Sequence, residues 1–191
     1  MSKKYEFTGE TKTMQDGNIL HRIIACKTFG NVKSGELGGW IENKNNLSHE
    51  GNAWVSGNAR VSGNARVYGD AEISGNAWVS GNAEISGDAW VYGNARVSGD
   101  ARVSGNAWVH GDARVYGNAD YATIKGFGTK FRNTTFFKCS DGSIKVNCGC
   151  FYGTLKEFRK QVNKTRSGKI RKEYLMIADL ILMEMHFSNK T

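Results

Sequence analysis

The sequence predicts a mainly β protein: a three-sided coil of short parallel strands, preceded by a β cap and followed by a small α+β domain. Three observations carry this reading. From Gly51 to Tyr116 eleven hexads follow one another without insertion, from GNAWVS to GDARVY, and a twelfth, GNADYA, has begun to decay. The chain of 191 residues has no proline, and half of its 24 glycines open a hexad. Beyond about residue 123 the period stops and the composition turns basic.

The hexad consensus is G-[N/D]-A-x-[V/I]-x. Ala at the third position and Val or Ile at the fifth are two residues apart, so on an extended segment they point the same way. The fourth and sixth positions point outward and carry Trp, Arg, Glu, Ser, Tyr or His. Gly followed by Asn or Asp suits a bend, because these residues tolerate left-handed backbone angles best. A strand and a corner every six residues close a triangle every eighteen, and twelve hexads make four coils rising about 4.8 Å each. Counting by eighteen gives three outer rows: Trp54, Glu72, Trp90 and Trp108; Arg60, Trp78, Arg96 and Arg114; and Arg66, Glu84, Arg102 and Asp120. Arg60 and Arg96 are expected to pack on Trp78 as a cation–π ladder.

Residues 1–50 lack the strict period and read as an N-terminal β cap with one or two irregular coils. Ile19–Ala25 and Gly39–Glu42 read as strands, and Leu47 falls in step with the Ala positions. Such a cap is needed because open strand edges invite aggregation. Residues 51–122 are the repeat region, and 123–191 the basic C-terminal domain. There, Thr134–Cys139 and Ser143–Asn147 alternate around the turn Asp141-Gly142. Thr154-Leu-Lys-Glu157 is a capping box opening a helix to about Lys164, with Leu155, Phe158 and Val162 on one face. A second helix is expected from Lys169 to about Leu180, and Ile181–Phe187 as a final strand.

The repeat resembles the hexapeptide-repeat, left-handed parallel β-helix family over residues 51 to 122, and the expected handedness comes from that resemblance. The wider layout is similar to β-helix proteins encoded by bacteriophages and prophages. Its carriers are GELGGWIE (Gly35–Glu42), the hexads, the GFG…TTFF stretch (Gly126–Phe137) and CGCFYGTLKEF (Cys148–Phe158). That resemblance implies a role inside an infected bacterium and brings no catalytic residues with it. The acyltransferases of the hexapeptide family typically form trimers, use coenzyme A and a histidine, and carry loops that interrupt the repeat. Here no hexad from 51 to 116 is interrupted, and His110 is the one histidine within the repeats.

At 39 % hydrophobic and 11 % aromatic the composition is not that of a disordered chain. No run approaches the roughly 18 apolar residues of a membrane helix, and the start lacks the apolar segment of a signal peptide. Cys26, Cys139, Cys148 and Cys150 read as reduced thiols in a bacterial cytoplasm. Cys139, Cys148 and Cys150 are one ligand short of a zinc set and are expected to be buried thiols. The net charge of +8 is unevenly spread: +1 over residues 1–50, −2 over 51–122 and +9 over 123–191.

A candidate anion or nucleotide site follows from that last segment. It comprises Thr129, Lys130, Arg132, Thr134 and Thr135 of a Gly/Thr-rich loop, with Thr154, Lys156, Arg159 and Lys160 at a helix N-terminus. The alternative is that the lysines are a solvated helix face. The strip Trp54, Trp90, Tyr92, Trp108 and His110 is a candidate subunit interface or a surface covered by another segment, with a ligand-stacking surface and plain ladder stacking as the alternatives. The expected function is a non-enzymatic phage or prophage protein that captures an anionic ligand of the nucleotide class on a homo-oligomeric scaffold, with a trimer favoured. Sequestration of a host-defence nucleotide signal would fit. The alternatives are an inhibitor binding nucleic acid or a host defence protein, a self-associating structural protein, and an acyltransferase. No cofactor, metal, catalytic residue or membrane is expected.

Overall fold

Each hexad becomes a corner and a two-residue strand in the computed structural model, which describes residues 3–129 and 132–187, excepting the side chains of 132, 186 and 187. Three longer strands come first: β1 (Tyr5–Thr13), β2 (Ile19–Ala25) and β3 (Leu37–Ile41). Eleven two-residue strands follow, from β4 (Trp54–Val55) to β14 (Arg114–Val115). They stack in parallel at the expected interval of eighteen: Trp54 on Glu72, Trp90 and Trp108; Arg60 on Trp78, Arg96 and Arg114; Arg66 on Glu84 and Arg102. The chain is therefore a parallel β-solenoid of about four turns.

The interior is what the third and fifth positions dictate. The hexad Ala residues from Ala53 to Ala113 are fully buried, as are the Val and Ile residues from Val55 to Val115. At the corners Gly takes a left-handed φ of about 65°, as at Gly57 and Gly81. The second positions also contribute. Asn58, Asn76 and Asn94 bond to one another up one corner, and Asn64, Asn82 and Asp100 up another. On the second face the guanidinium carbons of Arg60 and Arg96 lie 5.5 and 5.4 Å from the Trp78 ring, and the indole N–H donates to Ser62 Oγ at 3.1 Å. Trp78→Leu should cost about 1–2 kcal/mol from these lost contacts, read as a lower urea midpoint; an unchanged midpoint would remove the ladder from the stability argument.

The caps differ from expectation in three places. The first coil is two residues longer than the rest, since Trp40 pairs with Arg60 and Leu47 with Val67. Leu47 is thus in step with the Val positions, not the Ala positions. The extra length bows the chain around Lys4, whose ammonium reaches Ala53 O at 2.9 Å and Glu50 O at 3.4 Å. The twelfth hexad does not add Asp120 to the third row. Asn118–Asp120 is a 3-10 turn in which the Asp120 carboxylate accepts from the Tyr116 and Gly117 N–H groups and pairs with Lys138 at 2.8 Å.

The third difference concerns the C-terminus. An antiparallel sheet, β15 (Tyr121–Phe127), β16 (Arg132–Lys138), β17 (Ile144–Cys148) and β18 (Phe151–Thr154), is followed by α1 (Leu155–Thr165) and α2 (Gly168–Phe187). Residues 181–187 continue α2 instead of forming a strand. Tyr174, Ala178, Ile181 and Met185 are buried at steps of four, three and four, the spacing of one helical face. The sheet serves two cores at once. Phe137 and Cys139 close the solenoid end, whereas Phe136, Ile144 and Val146 pack with Leu155, Phe158 and Val162 of α1. Cys139 is buried, but Cys26 and Cys150 are exposed and Cys148 is half-buried, so the expectation of three buried thiols holds for one. No helix of the described residues is long and apolar enough to cross a membrane.

Candidate functional site

Several of the loop and helix residues expected to hold an anion are engaged within the fold. Lys130 lies outside the described residues, as does the side chain of Arg132. Thr134 and Thr135 are buried in β16 with their hydroxyls engaged. Thr134 Oγ1 donates to Cys148 Sγ, while Thr135 Oγ1 accepts the Trp108 N–H at 3.2 Å and pairs with Thr123 Oγ1. Thr154 caps α1 as the capping box predicts, and the Glu157 carboxylate accepts from the Thr154 N–H at 2.8 Å and its hydroxyl at 2.9 Å. Those two bonds hold the Glu157 carboxyl below its usual range, so the helix supplies its own anion. Arg159 is paired with Asp179.

Lys156 and Lys160 are exposed; Lys160 borders a shallow hollow with Phe151, Tyr152, Glu157 and Lys164. Thr129 borders a different cleft, with Cys148, Cys150, Phe158 and Tyr174. The two hollows share Phe151 and Gln161 in their lining.

The aromatic strip is the better-formed surface. Its first member, Trp54, is buried, with the Phe29 ring edge-on at 5.4 Å. Tyr92 and His110 stack at 4.7 Å, and the C-terminal sheet covers His110 with Phe137 at 5.6 Å and Tyr152 at 4.3 Å. Burial, with Lys145 adding to it, lowers the His110 pKa, and burial raises that of Tyr92. The N-terminal end of the strip and its His110 flank are thus covered by other segments of the chain. Between them Trp90 and Trp108 remain 40 % exposed, their rings parallel to within 6° at 5.3 Å.

Two hollows flank this pair and differ in chemistry. Toward the N-terminus, a hollow of about 490 Å³ has Trp54 and Trp90 as walls and Glu36, Asp70, Glu72 and Asp88 among its lining. That end repels anions. Toward the C-terminus, a pocket of about 290 Å³ is lined by Asn106, Trp108, Asn133, Thr135, Asn147 and Gly149. Sequence reading misses the three asparagines of this pocket. The available signal was strand alternation, which puts Asn133, Thr135 and the cross-strand partner Asn147 on one face of the sheet.

The repeats match a family model, the YdcK β-solenoid repeat, over residues 53–69, 59–75 and 95–111. The chain is also similar to a protein of Escherichia coli (strain K12) named an uncharacterized acetyltransferase, YdcK, at 35 % identity over 60 residues. That stretch is 28 % of this chain and 18 % of the relative, so the match spans less than a fifth of the relative's length. In repeat and in fold alike, the chain is a parallel β-solenoid of the hexapeptide-repeat type.

Proposed function

We propose that this chain is a non-enzymatic binding protein that captures a nucleotide on the aromatic face of its solenoid. The carrying observation is the exposed, parallel Trp90–Trp108 pair, with Trp54 buried at the N-terminal end of the row and the adjacent His110 covered by the C-terminal sheet. Indole faces take bases by stacking, a contact worth about 1–3 kcal/mol per base. The nucleotide expected from the basic C-terminal charge keeps its place in this reading through its base instead of its phosphates. Together with the resemblance to phage-encoded β-helix proteins, the physiological role would be sequestration of a signalling nucleotide during infection.

Isothermal titration with linear and cyclic nucleotides tests the reading. Binding should be weakened about tenfold or more by Trp90→Ala, and the ligand should be recovered chemically unchanged. Silence across the panel, or turnover of the ligand, would defeat it.

The same indoles favour a second reading, a homotrimer that buries this face. Sedimentation would then give a trimer that Trp90→Ala or Trp108→Ala dissociates. Acyl transfer is a weaker proposal, suggested by the relative's name. Its candidate base, His110, is packed among Tyr92, Phe137 and Tyr152 rings, and a general base needs a polar partner to orient it.

A further inference from the structure

We propose that the pocket at the junction of the solenoid and the C-terminal sheet is a base-reading site, which takes the uncharged heterocycle of a nucleoside. This rests on the binding reading above and deepens it by assigning the subsite and the part of the ligand recognised. Trp108 belongs to the last strand of its row, so no further rung follows it. Trp90 stacks on one face of its indole, and Trp108, not Trp90, lines the pocket. The sheet takes over the backbone there, with Thr135 Oγ1 accepting the Trp108 N–H. A planar ring in the pocket would continue the ladder by one rung.

Among the described residues, what faces that ring is polar and uncharged. Asn147 is nine-tenths buried, and its carboxamide makes no hydrogen bond with any described residue. The Asn133 carboxamide oxygen is buried without a partner. An unpaired buried polar group is costly, so the Asn133 oxygen, with Asn147 lining the same pocket, marks a place where a ligand would supply the missing bond. A carboxamide offers an acceptor and two donors in one plane, the pattern that matches the mixed donor–acceptor edge of a nucleobase. Among the described residues no Lys, Arg, Asp or Glu lines the pocket, so none of them offers a phosphate or an organic cation a counter-charge in it. A volume of about 290 Å³ is at the small end for ligand sites and suits a base with its ribose at the mouth.

Adenosine, guanosine, cytidine and uridine, titrated separately into the full chain with tryptophan fluorescence and calorimetry as readouts, test the assignment. At least one nucleoside should quench the fluorescence and bind without any phosphate. Asn147→Leu and Trp108→Leu should each weaken that binding about tenfold or more, and Trp108→Phe should restore most of it. Thermal melts of all three variants separate lost binding from lost folding. The assignment is overturned if only phosphorylated forms bind and inorganic phosphate competes, if glucose or N-acetylglucosamine binds where nucleosides do not, or if folded Asn147→Leu binds as the wild type does. Nucleotide binding that Trp90→Ala weakens and Asn147→Leu spares would leave the aromatic-face reading standing and remove this pocket alone. Absence of binding by every nucleoside and nucleotide would remove both.

Discussion

Replacing Lys4 by Met should destabilise the chain by about 2–3 kcal/mol at neutral pH and change the shape of its stability–pH curve. Lys4 has no solvent exposure and plugs the open N-terminal end of the prism, its ammonium directed at the Ala53, Glu50 and Gly51 carbonyls and 5.1 Å from the Phe29 ring. Met keeps the aliphatic stem and leaves the carbonyls buried without a donor, hence the magnitude. Burial, reinforced by Lys27, pushes the Lys4 pKa down from 10.5 to about 8. Between pH 8 and 10.5 the unfolded chain binds more protons at this group than the folded one. Stability therefore rises with pH across that window, by of order 1–2 kcal/mol once solvent screening is allowed for.

The neighbouring Tyr5 acts in the opposite sense at higher pH. Its hydroxyl donates to Leu47 O at 2.8 Å, and burial raises its pKa from 10 to about 12. The stabilisation tied to its protonated form is complete below pH 10 and is lost as the pH rises through 12. Urea unfolding at pH 7, 9, 10 and 11.5 should show the rise only in the wild type and the fall in both proteins. Parallel curves for wild type and Lys4→Met would rule out the plugging role.

The solenoid was legible because its cause is local. Each hexad carries its own corner, its own inward pair and its own outward pair, and the interval of eighteen follows from three corners. That logic alone places Arg60 and Arg96 on Trp78. The ends were harder, because they are closed by residues remote in sequence: Lys4 by carbonyls some 49 positions on, His110 by Tyr152, Trp54 by Phe29. The anion site expected around Thr154 meets a competitor of its own. The capping box that identified the helix start already contained Glu157, and the carboxylate that completes the box is the one that occupies the N-terminus. The same four residues cannot both close the helix end and leave it open. The paired amides of Asn133 and Asn147 depend on the β16–β17 register and on the sheet docking beside Trp108, neither of which a periodic pattern encodes.

Ala83→Leu should have the largest effect of any interior change, about 3 kcal/mol or more, enough to remove cooperative folding in a marginal solenoid. Ala83 is fully buried between Ala65 and Ala101, the equivalent positions one coil below and one above. The coils cannot part to admit a larger side chain, because the backbone bonds flanking this position tie them together: Arg66 N–H to Ala83 O, and Glu84 N–H to Ala101 O, each at 2.9 Å. Each coil contacts only its neighbours, so one broken interface divides the stack into two shorter arrays that must each stand alone. The fifth position tolerates more, since Ile73 and Ile85 already alternate with Val in the same interior. Val103, directly paired with Ile85, is the matched control, and Val103→Ile should change stability by less than about 1.5 kcal/mol. Urea melts followed by far-ultraviolet circular dichroism distinguish the two outcomes. Equal, small effects at both sites would mean that the prism interior is loosely packed and that Ala at the third position answers to something other than space.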